Sequence, residues 1–180
     1  MRVRHTFIVS FLSVLCCMPV IQNKPFQISV QTDKFFPGTK AYSSSKIYTS
    51  SKYDNGTSFI NFMTFVSGDT LLYSISASYI GSDWMFINKL MVLCDSNVLN
   101  FDVAAEPKRT VGHELSSTIL QENVLFGLDS STAHLFKLCK SISIRLIGSQ
   151  FTHNISLDTL VVKNINFYFN FIDTAVVSKL

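Results

Sequence analysis

The sequence predicts a mainly β fold: an antiparallel β-sandwich-like domain with one or two short helices, with an α+β arrangement as the alternative. Three observations carry this expectation. Leu71, Tyr73, Ile75, Ala77 and Tyr79 alternate with Leu72, Ser74, Ser76 and Ser78, the period of two that a half-buried antiparallel strand requires. Turn-forming clusters recur every eight to twelve residues or so between Gly56 and Asn97, a rhythm of meanders and sandwiches rather than of parallel units. Helical spacing takes over in only two places, after Asp129 and after Ser156.

The chain opens on Arg2, Arg4 and His5, followed by an apolar run from Thr6 to Met18 that stops at Pro19. A basic stretch feeding an apolar one is the layout of a secretory signal peptide. The run is about thirteen residues, short of the roughly twenty that span a bilayer as a helix. Residues 1–18 are therefore assigned to a signal peptide or lipoprotein signal. Its ending stays open between cleavage near residues 17 to 22, lipidation at Cys16 or Cys17, and an uncleaved anchor or an apolar N-terminus that is not used as a signal. A lasting lipid anchor would need more than one acyl chain.

Residues 19–57 are expected to form an extended N-terminal segment. Pro19, Pro25 and Pro37-Gly38 interrupt it, and Ser43-Ser44-Ser45 and Ser50-Ser51 enrich it in small polar groups. One strand fits inside it, because Phe26-Gln27-Ile28-Ser29-Val30 alternates apolar with polar. Asn55-Gly56 is the best two-residue hairpin signal in the chain.

Residues 58–180 are expected to be the β-rich globular domain. Strands are predicted over 58–66, 71–79, 84–87, 90–93 and 98–103, with turns at Ser67-Gly68-Asp69, Gly81-Ser82-Asp83 and Asp95-Ser96-Asn97. Glu106-Pro107-Lys108-Arg109 reads as a charged loop, and 111–114 and 118–124 as weaker strands. Asp129 or Ser130 caps a helix, with Leu128, Leu135, Phe136 and Cys139 recurring on one face, and Ser141 to Gly148 returns to strand. After Ser156 the residues fit both a helix and a strand, and a helix over 157–172 is preferred.

The layout from about 72 to 172 resembles that of small exported, lipoprotein-like bacterial proteins of unknown function. The segments that carry it are Asp83-Trp84-Met85-Phe86-Ile87, Gly112-His113-Glu114, the run from Ile142 to Gly148, and a final helix after Ser156. The resemblance implies a compact antiparallel sheet fold and no known activity.

Composition narrows the function. The formal charge of +3 includes Arg2 and Arg4, and without them 13 Lys and Arg face 12 Asp and Glu. The remaining basic residues are scattered, so no stripe exists for a phosphate backbone and nucleic acid is not an expected partner. Cys94 and Cys139 are the two cysteines outside the leader. In an oxidising compartment they can pair, closing a loop of about 45 residues worth roughly 4 kcal/mol, or they stay as buried thiols.

No catalytic constellation stands out. His113-Glu114 lacks the second histidine that a helical zinc signature places four residues after the first, since that position is Ser117. Neither a serine-nucleophile elbow nor a phosphate-cradling glycine loop is present. Asp83 and Glu114 are the conceivable carboxylate pair, but such chemistry depends on a separation that sequence does not supply. Glu114 is better read as a structural ion-pair partner for Arg145. Trp84 is read as core rather than as a contact residue. Asn55-Gly56-Thr57 and Asn154-Ile155-Ser156 match a glycosylation acceptor, which matters only in a eukaryotic secretory pathway. The expected function is a non-enzymatic, envelope-associated or surface interaction protein without a cofactor, located in the periplasm, on a membrane through an N-terminal lipid, or outside the cell. Its partner would be an unknown protein or envelope component. A secreted enzyme or enzyme inhibitor is the alternative.

Overall fold

The computed structural model describes residues 25–34, 36, 38–50, 56–114 and 117–176, without the side chains at 48–50, 114, 117 and 156. Residues 1–24, with Cys16 and Cys17, and residues 51–55, with Asn55 of the expected Asn55-Gly56 turn, lie outside them. The described residues form two antiparallel sheets and two helices. The larger sheet contains β1 (Ile28–Thr32), β2 (Lys40–Ser44), β3 (Ile47–Ser50), β4 (Gly56–Ser67), β5 (Thr70–Gly81), β8 (Lys108–Glu114) and β9 (Ser117–Leu128). Its order is β1-β2-β4-β5-β9-β8, with β3 also paired to β4. The smaller sheet runs β11 (Thr152–Ser156), β10 (Ile142–Gly148), β6 (Ile87–Cys94), β7 (Asn97–Asp102). The helices are α1 (Ser130–Leu138) and α2 (Thr159–Ala175).

Two of the expected hairpins close as their turns require. β4 and β5 meet at Ser67↔Thr70 around Gly68, whose φ of +55° is the left-handed geometry a two-residue hairpin favours. β6 and β7 meet at Cys94↔Asn97, with Asp95 at φ +53°. The serine-rich opening is not a linker. β2 and β3 lie successively along one edge of β4, and the pairing shifts by one residue between Ser43↔Met63 and Ile47↔Ile60. At that break the Ser44 hydroxyl accepts the Phe62 N–H at 2.9 Å, replacing the ladder bond that the shift removes. Within the expected N-terminal segment, Ile28–Thr32, Lys40–Ser44 and Ile47–Ser50 are therefore strands of the main sheet.

The inner face of the larger sheet is covered by two different layers. Along one stretch α1 and α2 supply Phe136, Tyr168 and Phe169, which pack around Phe62, with Phe169 also against Tyr73. Along another the smaller sheet supplies Phe151 against Tyr79 and His153 against Ser58. One continuous apolar cluster runs through both layers.

α2 resolves the ambiguous C-terminus in favour of a helix. Val162, Ile165, Phe169 and Ile172 are buried, whereas Phe167, which a strand would have turned the same way as Ile165, is 57% exposed. Asn166 donates to the carbonyls of Phe136 and Cys139 at 2.5 and 3.2 Å, satisfying groups that the end of α1 would otherwise orphan. Its cap is Asp158 rather than Ser156, which belongs to β11.

Tyr168 joins α2 to two strands. Its hydroxyl donates to the Tyr42 carbonyl at 3.1 Å, so at 2.9 Å it must accept from the Thr64 hydroxyl. Burial pushes its pKa up, which keeps that proton in place at neutral pH. Tyr168→Phe is expected to cost about 1–3 kcal/mol, because a buried hydroxyl and a carbonyl each lose a partner. An unchanged urea midpoint would contradict this.

Asp129 caps α1, accepting the Thr132 N–H at 2.6 Å and the Ser131 hydroxyl at 2.8 Å. The Thr132 N–H is the main reason its pKa is lowered. A depressed folded-state pKa gives stability that is present above the unfolded value and lost as pH falls through the folded one. Asp129→Ala should therefore cost about 1 kcal/mol at neutral pH. Below pH 4 or so, where the parent chain loses the same contribution, the two midpoints should converge. Parallel midpoint curves down to acid pH would refute the assignment.

Candidate functional site

Cys94, the last residue of β6, and Cys139, just beyond α1, are joined in a disulfide with Cα atoms 5.6 Å apart. Both are buried. Asp95 reinforces the junction by accepting the N–H groups of Ser141 at 2.8 Å and Lys140 at 3.1 Å. The Ser141 N–H, ahead of the other contacts, holds the Asp95 carboxyl below its ordinary pKa. Cys94, Asp95 and Cys139 also form a cluster of metal-ligating residue types. Their chemistry does not suit an ion, because the sulfurs are bonded to each other and the carboxylate is already occupied by backbone donors.

Arg145 is the expected ion-pair partner of Glu114, a pairing it needs only if buried. It is exposed, and its Nε donates to Asn154 Oδ1 on the neighbouring strand at 2.5 Å. The burial that would have required a carboxylate is absent. The Glu114 side chain lies outside the described residues.

The buried carboxylate among the described residues is Glu122, in the middle of β9 and 0% exposed. It faces the smaller sheet, accepting the Phe86 N–H on Oε1 at 2.7 Å and the Ile87 N–H on Oε2 at 3.0 Å. Arg109, its direct cross-strand partner on β8, brings Nε to 3.6 Å from Oε2. Arg109 thus belongs to a strand, not to the charged loop expected at 106–109. Its guanidinium lies over the Phe86 ring, 5.0 Å from the centroid, and Phe86 packs beside Trp84 at 6.2 Å. Trp84 is half-buried rather than core.

Phe86 has φ +53°, a left-handed conformation that costs a bulky residue about 1–3 kcal/mol. Two contacts hold it there. Glu122 takes its N–H and that of the next residue, and its carbonyl accepts the Ser149 N–H at 3.2 Å. The segment lies so close to β10 that a Cβ on Gly148 would come within 2.0 Å of the Met85 carbonyl oxygen, which requires glycine there.

Two further arrangements bear on chemistry. Ser58 Oγ sits 2.6 Å from His153 Nδ1, a spacing at which a histidine can activate a hydroxyl. The two residues are 0% and 1% exposed, so no substrate reaches that hydroxyl and the pair ties the sheets together instead. An open cleft of about 720 Å³ lies between β7 and the β5–β9 side of the larger sheet, lined by Leu72, Val98, Phe101 and Leu125 among others. Its ionisable groups are Tyr73, Asp102 and Asp129. Asp129 is committed to its cap, and burial followed by the Asp173 charge raises the Tyr73 pKa. One remaining carboxylate does not make an acid–base pair.

Comparison with family models, curated proteins and solved structures finds no match for this chain. No helix among the described residues is long and apolar enough to cross a membrane.

Proposed function

We propose that this chain is an exported binding domain of the cell envelope or outer surface, recognising a protein or envelope component without chemical turnover. The Cys94–Cys139 disulfide carries this reading, because such bonds persist in oxidising compartments and are rare in the cytosol. The basic-then-apolar leader supports export independently. The non-catalytic half of the reading rests on where the reactive groups lie. Glu122 is engaged by two backbone donors and a cation, and Ser58 and His153 are sealed from solvent.

Cell fractionation tests the proposal. The native protein should be recovered with the envelope, the periplasm or the medium, depending on whether Cys16 or Cys17 is lipidated. Recovery from the cytosol would overturn it.

A further inference from the structure

We infer that Trp84, Phe86 and Arg109 form the contact point of this binding domain, and that it receives a carboxylate flanked by an apolar side chain on a partner polypeptide. The inference rests on the binding-domain reading above and names the chemistry of its partner.

Arg109 is held from two sides. Its Nε edge is turned to the buried Glu122, 3.6 Å from Oε2, and its flat face to the Phe86 ring, so two contacts restrict the side chain before any partner arrives. Neither contact uses its terminal nitrogens, which have no acceptor among the described residues. The side chain is 37% exposed. A guanidinium held this way presents a two-pronged edge that matches the two oxygens of a carboxylate.

Phe86 adds an independent observation. A left-handed backbone at this position suits glycine or asparagine, yet the chain places an aromatic residue there and leaves it 36% exposed. Core packing does not account for this, because the buried neighbours Met85 and Ile87 already fill the interior on either side. The strained backbone instead aims the ring outward between Trp84 and Arg109. Tryptophan, arginine and aromatic rings in one cluster are the side chains that dominate binding energy at interfaces.

Charge selects the ligand. Glu122 lies directly beneath Arg109 and offsets its charge, so the corner does not form the concentrated positive field that a phosphate dianion or nucleic-acid backbone needs. A single carboxylate fits, with its apolar neighbour against Trp84 and Phe86.

Trp84 is the only tryptophan in the chain and reports on the site directly. The oxidised protein would be titrated with the capped peptide Gly-Leu-Asp-Leu-Gly and with its asparagine counterpart, following tryptophan emission. A saturable change is expected with the aspartate peptide, about tenfold weaker with asparagine. R109K, which keeps the charge and loses the fork, should weaken the aspartate peptide several-fold, and R109Q about tenfold. Equal response to both peptides, no saturation up to roughly 5 mM, or unchanged binding in a folded R109K would each overturn the assignment. The peptide comparison on the parent chain decides the matter even if R109Q fails to fold. A flat titration on a correctly exported protein removes only the carboxylate assignment, whereas cytosolic recovery would remove the binding-domain reading beneath it.

Discussion

Glu122→Gln is expected to destabilise the fold by about 2–4 kcal/mol, although it changes only one atom type in the side chain. Glutamate offers two equivalent acceptors, and the structure uses both, one for the Phe86 N–H and one for the Ile87 N–H. Glutamine keeps one acceptor and turns an NH2 group toward the other donor. A buried N–H is then left unsatisfied, and Arg109 loses its counter-charge. The strained Phe86 backbone has one of the two contacts that hold it weakened, so the effect should reach Trp84. Urea unfolding followed by tryptophan emission measures both parts. A loss below about 0.5 kcal/mol with an unchanged native spectrum would show that the carboxylate is not what binds the two sheets together.

Replacing Cys94 and Cys139 together with serine is expected to cost about 4 kcal/mol by the chain-entropy argument for a 45-residue separation. The loop closed by this bond contains β7, β8, β9 and α1, so the unfolded chain gains a large conformational space once the bond is lost. Against a typical net stability of about 5–15 kcal/mol, that loss leaves a marginal protein. Denaturant midpoints of the oxidised parent and the double variant give the comparison directly. Because both sulfurs are buried, the parent should also resist reductant until it opens. Coincident midpoints would show that the bond does not constrain the unfolded chain.

The parts of this fold legible in the sequence are those whose cause is local. Period-two alternation marked β5, Gly68 and Asp95 marked their hairpins, and Asp129 marked α1, because each signal lies within a few residues of the structure it specifies. β2 was hidden because its inward positions are Tyr42 and Ser44, and a serine there looks like linker until the register shift beside it is known. β9 read as weak because a carboxylate occupies an inward position of the strand. That interruption was the visible trace of the site, but its meaning depended on three distant residues. Phe86 carries no sequence signal for a left-handed backbone, and Arg109 becomes the partner of Glu122 only through strand register. His153 and Ser58 are 95 residues apart and meet only when the sheets pack.

Intact mass of the native protein reports at once on whether this chain is exported, oxidised and built to bind. Under non-reducing conditions the expected species is a chain shortened within the first 22 residues or carrying lipid at Cys16 or Cys17, with the two hydrogens of Cys94 and Cys139 missing. A chain that retains Met1, unmodified and with both thiols reduced, would contradict it.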